Sequence, residues 1–257
     1  MTKVYFIGAG PGDPELLTRK GAKCLAEAAT VFAPPPLEEM FAADLESKKL
    51  RVPFDFYFEP LIEQINADLD KGSVVFLVPG DLTFYAPFQA LVSAFGERAE
   101  VVPGVGTANA AAAYLKRTLD LPGVSNRTLL ASTRTLGDRP DAPQLAEMVS
   151  PGATLLLYMN NRPLSELVEE LARGYRSREV PIALLHRLGL DGERVVQATL
   201  DTIVAAAGDF DWFNLEAIDK RPALTLVVVG DALTAEVDGH WWDYRRENIW
   251  HQRGESS

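Results

Sequence analysis

The chain has 257 residues, 47% of them hydrophobic and 24% charged, with a formal net charge of -11. That is enough apolar sequence for one large or two medium cores, and the acidic balance argues against general nucleic-acid binding, which needs a cationic surface to displace counterions from phosphates. The single cysteine, Cys24, excludes a disulfide framework or a cysteine metal cluster, and His186, His240 and His251 lack the close spacing of a zinc site, so no protein-held metal is expected.

The amino terminus runs directly into a predicted strand, and no apolar run approaches the roughly 18 residues that span a bilayer. The expectation is a cytoplasmic protein with no membrane partner.

Val4 to Ile7 reads as a buried strand running into Gly8-Ala9-Gly10-Pro11-Gly12-Asp13-Pro14. A helix is predicted from Glu15 to about Ala28, with Leu16, Leu17, Ala22, Leu25 and Ala26 at helical spacing. A loop leaving the carboxyl end of a first strand is where open α/β sheets place a ligand. Gly8 and Gly10 begin a dinucleotide fingerprint, but its third glycine position holds Asp13, whose carboxylate would repel a pyrophosphate. Pro11 and Pro14 remove two backbone donors as well. Thr30 to Ala33 is a short strand stopped by Pro34-Pro35-Pro36, an extended connector, and it ends without the acid that would bind ribose hydroxyls. Both features weigh against NAD.

Glu38 to Lys49 reads as helical, Arg51 to Phe58 as an edge strand because of Pro53, and Leu61, Ile62, Ile65 and Leu69 mark another helix. Ser73 to Val78 is a continuous apolar run, as in a central parallel strand buried on both faces, and it ends in Pro79-Gly80-Asp81-Leu82-Thr83-Phe84-Tyr85. Glu100 to Val102 followed by Pro103-Gly104-Val105-Gly106-Thr107 repeats the strand-then-glycine pattern, and the alanine-rich helix Ala108 to Leu115 allows close packing. Such loops at strand ends suggest one shared crevice.

Asp120 to Ser125, with Pro122-Gly123, is the best interior boundary. It divides an amino-terminal α/β unit, 1–120, from a carboxy-terminal one, 121–237, with a tryptophan-rich tail at 238–257. In the second unit Thr128 to Ser132, Thr154 to Met159, Ile182 to Arg187, Val195 to Thr199 and Leu224 to Val229 read as strands. Helices are predicted near Gln144 to Met148, Pro163 to Ala172 and Asp201 to Ala207. No long helix pattern occurs between Gly208 and Pro222, ahead of the last strand, so this sheet should be mixed.

Six motifs in order resemble the tetrapyrrole (corrin and porphyrin) methylase superfamily over roughly residues 3 to 230. They are G-A-G-P-G-D-P-E-L-L-T at the start, Gly80-Asp81, V-P-G-V-G-T at Val102 to Thr107, Tyr158-Met159, V-V-Q-A-T-L at Val195 to Leu200 and L-V-V-V-G at Leu226 to Gly230. The opening loop and the V-S-x-R-T-L-L segment at Val124 to Leu130 are similar to the branch that methylates C11 of precorrin-4 or cobalt-precorrin-4 in cobalamin synthesis.

The resemblance implies two α/β domains with parallel and mixed sheets flanked by helices, a homodimer, and S-adenosylmethionine in the cleft between the domains. Carried over by position, the cofactor would touch Pro11, Gly80, Asp81, Leu82, Thr83, Phe84, Gly106 and Thr107 on one side, and Met159, Leu188 and Thr225 on the other. Candidate catalytic bases are Asp81, Asp13 and Tyr85. Arg117, Arg134 and Arg139, with Arg127 close in sequence, are candidate partners for substrate carboxylates. Leu82 stands where the family commonly has proline, and the three prolines replace a tyrosine-containing stretch. Two alternatives therefore stay open: a non-catalytic tetrapyrrole or cofactor binder of the same fold, and a methylase of another ring position, such as one acting on uroporphyrinogen III.

Overall fold

The computed structural model describes residues 2–86, 88–134, 144–217, 223–237 and 239–250. Among these residues ten strands form two five-stranded sheets. The first contains β1 (Val4–Gly8), β2 (Thr30–Phe32), β3 (Lys49–Arg51), β4 (Val74–Val78) and β5 (Ala99–Val102) in the order β3-β2-β4-β1-β5, every pair parallel. The second contains β6 (Arg127–Ser132), β7 (Ala153–Tyr158), β8 (Pro181–His186), β9 (Arg194–Thr199) and β10 (Thr225–Val229) in the order β6-β7-β10-β8-β9. Only β6 and β7 run parallel there, so the sheet is mixed, as its connections predict.

The helices are α1 (Arg19–Glu27), α2 (Leu37–Met40), α3 (Ala42–Leu45), α4 (Phe58–Leu69), α5 (Gln89–Phe95), α6 (Thr107–Leu115), α7 (Leu145–Met148), α8 (Leu164–Tyr175), α9 (Ile203–Ala207) and α10 (His240–Arg245). In the first sheet Phe6 and Phe32 both stand opposite Phe76, with ring centroids 5.6 and 5.8 Å from it. This aromatic ladder packs under α4 and α5 through Leu61, Ile65 and Leu91. The opposite face buries Ile7, Val31 and Leu77 against Leu25 of α1. The continuous apolar strands are thus covered on both faces.

Helix α6 follows β5 in sequence yet packs on the second sheet, where Ala111 is fully buried in a cluster with Leu156, Ala183 and Leu226. Its alanines serve that close approach.

Several predicted boundaries move. The helix expected from Glu15 is a 3-10 turn at Pro14–Leu16 followed by α1, because the Thr18 hydroxyl accepts the Gly21 N–H at 3.1 Å and caps a new start at Arg19. The predicted helix Glu38 to Lys49 is split into α2 and α3 at Phe41, and Lys49 already belongs to β3. The edge strand expected at Arg51 to Phe58 occupies Lys49–Arg51 instead, since Pro53 opens a 3-10 turn that ends the extension. Helix α8 runs to Tyr175, beyond the expected Ala172.

Candidate functional site

Because β1, β4 and β5 are adjacent and parallel, their carboxyl ends emerge on one side and the loops that follow meet backbone to backbone. Gly10 and Gly80 exchange N–H···O bonds of 2.9 and 3.0 Å. A Cβ on Gly8 would lie 2.6 Å from the Gly104 nitrogen, and one on Gly104 would lie 2.5 Å from the carbonyl oxygens of both Gly8 and Gly80. The glycines are therefore set by one close three-loop junction rather than by three independent turns. The hydroxyl of Thr18 adds a bond to the Pro103 carbonyl at 3.2 Å, tying the loop after β1 to the loop after β5.

The second sheet presents its matching end to this junction. Antiparallel pairing puts the start of β10 beside the ends of β7 and β8, so Tyr158, Met159, Leu188 and Thr225 gather at one edge. Three contacts cross the seam. The Tyr85 and Tyr158 ring centroids lie 5.2 Å apart. The Ala108 N–H in the first turn of α6 lies near enough to the Tyr158 phenol to favour its ionised form. Gly12 and Asp13 abut Leu190 and Gly189 of the β8–β9 loop. That loop is braced by Glu193, which accepts the Gly189 N–H at 2.8 Å and whose carboxylate raises the pKa of the neighbouring Tyr114 phenol.

Among non-glycine residues, Tyr85, Met159 and Arg187 hold left-handed φ values of 56, 49 and 52° along this seam. Such conformations cost free energy and persist only where surrounding contacts fix them.

The predicted acids are both engaged with their own loops. Asp13 Oδ1 accepts the Glu15 N–H at 2.8 Å and caps the 3-10 turn. Asp81 Oδ1 accepts the Thr83 N–H at 2.9 Å, and its Oδ2 would be 3.0 Å from a Cβ on Gly106. Burial pushes the Tyr85 phenol above its ordinary range. Burial also pushes the Tyr158 phenol up to about 12, with the charge of Asp81 adding to the rise and the Ala108 N–H opposing it. Both rings stay protonated at neutral pH.

Pro11, Leu82, Thr83 and Phe84 lie on the junction loops, with Phe84 half exposed, and Thr107 opens α6 with its Oγ1 3.7 Å from where a Gly80 Cβ would stand. Leu188 is buried beside Leu185 and Leu226. Thr225 is buried, and its hydroxyl donates to the Trp212 carbonyl at 2.6 Å, so it can only accept from His186 Nδ1, also at 2.6 Å.

The arginines do not form one cluster. Arg134 follows β6 at the seam end, two residues past the Ser132–Tyr158 pairing, whereas Arg127 begins β6 at the far end and bonds to Ser150 and the Pro151 carbonyl. Arg117 lies past the far end of α6, about 14 Å along the helix from Ala108, and donates to the Ala235 carbonyl at 2.9 Å. Arg139 lies outside the described residues. Residues that the sequence reading gave no role, notably Tyr158, Leu190 and His186, occupy the seam itself; only Tyr158 carried a signal, as the neighbour of Met159 in its motif.

Two α/β sheets thus meet at their strand ends over a glycine-built junction, the place where open α/β sheets bind ligands. A model of the Tetrapyrrole (Corrin/Porphyrin) Methylases matches residues 3–204, and the chain belongs to that family. A cobalt-precorrin-4 C(11)-methyltransferase of Methanocaldococcus jannaschii is 28% identical over 90% of this chain and 88% of its own. A precorrin-4 C(11)-methyltransferase of Mycobacterium tuberculosis is 30% identical over 91% and 92%. The solved structure of a cobalt precorrin-4 methyltransferase superposes with a TM-score of 0.73 at 24% identity, covering 91% of this chain and 96% of that one. The uroporphyrin-III C-methyltransferase of Thermus thermophilus, complexed with S-adenosylhomocysteine, gives 0.66 at 25% identity, covering 90% and 98%.

Proposed function

We propose that this chain transfers a methyl group from S-adenosylmethionine to a ring carbon of a precorrin-type tetrapyrrole, with C11 of precorrin-4 or cobalt-precorrin-4 as acceptor. The observation that carries the reading is the seam: three strand-end loops of one sheet facing the Tyr158, Met159 and Thr225 edge of the other. The names of the relatives at about 30% identity over nine-tenths of the chain support the choice of acceptor.

The cofactor, when bound, supplies a methyl already activated on a sulfonium. The chain's residues must then hold acceptor carbon, methyl and sulfur in line and keep water out. Main-chain atoms can approach a ligand at the junction because glycines 80 and 106 present no side chain there. We assign Pro11, Gly80 to Phe84, Gly106 and Thr107 to one wall of the cofactor site, and Met159, Leu188 and Thr225 to the other. Arg134 at the seam is our first choice for a substrate carboxylate, with Arg117 and Arg139 further out.

Attack by a tetrapyrrole carbon on the sulfonium methyl breaks the carbon–sulfur bond, leaves the electron pair on sulfur, and requires the macrocycle to shed one proton before or after transfer. Tyr85 keeps its own proton at neutral pH and acts as a donor; the carboxylate of Asp81, fixed between Thr83 and Gly106, is the base, with Asp13 shaping the entry loop. The reading includes two α/β units dividing near residue 120, a homodimer in the cytoplasm, and no protein-held metal.

Incubation of the protein with S-adenosylmethionine and, separately, precorrin-4, cobalt-precorrin-4 and uroporphyrinogen III tests it by product mass. One added methyl on a precorrin-4 substrate is expected. Methylation of uroporphyrinogen III alone would move the assignment to another ring position, and no transfer with any of the three would leave a binding protein.

A further inference from the structure

We infer that Tyr85, Tyr158 and Asp81 form a charge-sensing corner that separates the cationic sulfonium cofactor from its neutral demethylated product. The inference rests on the cofactor assigned above and adds residues that recognise its charge.

The two rings meet at 5.2 Å with their planes tilted by 41°. Tyr85 belongs to the loop after β4 and remains 39% exposed, so its ring is not spent on filling a core. Its φ of 56° is one that bulky side chains rarely adopt, and in that conformation the ring lies against Tyr158. Tyr158 ends β7, directly opposite Ser132, with the Ala108 N–H near its phenol. Asp81 is near enough for its charge to act on that phenol, and the Thr83 N–H fixes its carboxylate. Two neutral aromatic rings and one carboxylate thus share a corner of the seam.

Such a set attracts a cation through both the ring quadrupoles and the carboxylate, whereas a neutral thioether of nearly the same shape gains neither attraction. Transfer of the methyl leaves sulfur uncharged. The corner then holds the incoming cofactor more firmly than the spent one, and product release needs no movement of the loops.

Calorimetric titration with three ligands tests this: S-adenosylmethionine, S-adenosylhomocysteine and an analogue with a protonated amine nitrogen in place of the sulfonium sulfur. The wild-type chain should prefer both cations to the neutral thioether. Tyr158→Leu and Tyr85→Leu should each reduce that preference roughly three- to tenfold, by weakening the cations and not the thioether. Tyr158→Phe, which keeps the ring, should retain it. An unchanged preference in the leucine variants, or a collapse in Tyr158→Phe equal to that in Tyr158→Leu, would overturn the inference. If Tyr158→Leu does not fold, Tyr85→Leu decides alone, since its ring is largely outside the core. Wild-type protein that binds none of the three ligands would instead remove the proposed function itself.

Discussion

Gly12 and Leu190 touch across the seam, and the contact leaves no room for a side chain on the glycine. A Cβ at position 12 would lie 2.6 Å from both Cγ and Cδ2 of Leu190, and the backbone there has a φ of +152°. Gly12→Ala therefore carries two penalties, a left-handed backbone for an L side chain and a clash. Together they should cost about 1–3 kcal/mol in urea unfolding. Leu190→Ala in the same chain should restore the steric part and leave the backbone part. Strict additivity of the two single changes would show that the residues do not meet in solution.

Asp68 ties the edge of the first sheet to its covering helix. Its fully buried carboxylate, on α4, accepts from Arg51 Nε at 2.7 Å, Lys49 Nζ at 2.9 Å and Gln64 Nε2 at 3.1 Å; Lys49 and Arg51 are alternate residues of β3. Burial alone would raise its pKa, but the bonds from Arg51 and Lys49 outweigh that and hold it below the usual carboxylate range. The unfolded chain then binds the proton more readily, so this contribution is present above the ordinary carboxylate pKa near 4 and is lost as pH falls through the lower folded value. Asp68→Asn should cost roughly 2–4 kcal/mol at pH 7 and flatten the acid limb of stability against pH. An acid limb equal to that of wild type would refute the assignment.

The strands were legible because their apolar runs are long and continuous. Val74–Val78 and Thr225–Val229 sit within a residue of where their patterns put them, and the absence of a long helix pattern in the sequence between Gly208 and Pro222 pointed to the mixed sheet that is found. The start of α1 and the end of β3 were not legible, since they depend on a side-chain cap at Thr18 and on Pro53 rather than on periodicity. At the site, the glycine loops were visible as motifs but their reason was not. Gly8 and Gly104 are more than ninety positions apart, and only the β4-β1-β5 order brings them together. The arginines illustrate the reverse failure: neighbours in sequence, Arg127 and Arg134 stand at opposite ends of one strand.

Gly104 gives the sharper test of the junction. A Cβ there would meet backbone on every side, at 2.5 Å from the Gly8 carbon and oxygen and the Gly80 oxygen, and none of these can swing away as a side chain would. Gly104→Ala should cost about 3 kcal/mol or more and weaken cofactor binding by opening the junction. Gly239→Ala, where nothing lies within 4 Å, serves as the neutral control and should stay within about 0.5 kcal/mol of wild type. Equal effects from the two substitutions in thermal melts would show that the three loops do not close on one another.

His186 and Thr225 form a hydrogen-bond chain whose direction is fixed by geometry. The Thr225 hydroxyl spends its proton on the Trp212 carbonyl, so His186 Nδ1 must carry a proton, with the ring edge-on to Phe210 and Trp212. Burial, reinforced by the charges of Arg187 and Arg194, holds its pKa below the ordinary value. An unfolded chain would take up the proton near pH 6.5, so stability from this group is intact above that pH and declines as pH falls toward the folded pKa. Thr225→Val leaves the Nδ1–H and the Trp212 carbonyl unpaired and should cost about 1–3 kcal/mol without any ligand present, while Thr225→Ser should recover most of it. His186→Gln, which can still donate to Thr225 but cannot titrate, should reduce the slope of stability against pH between about 5 and 7 relative to wild type. A slope unchanged by that substitution would mean that the imidazole is as free to protonate in the folded protein as in the unfolded chain.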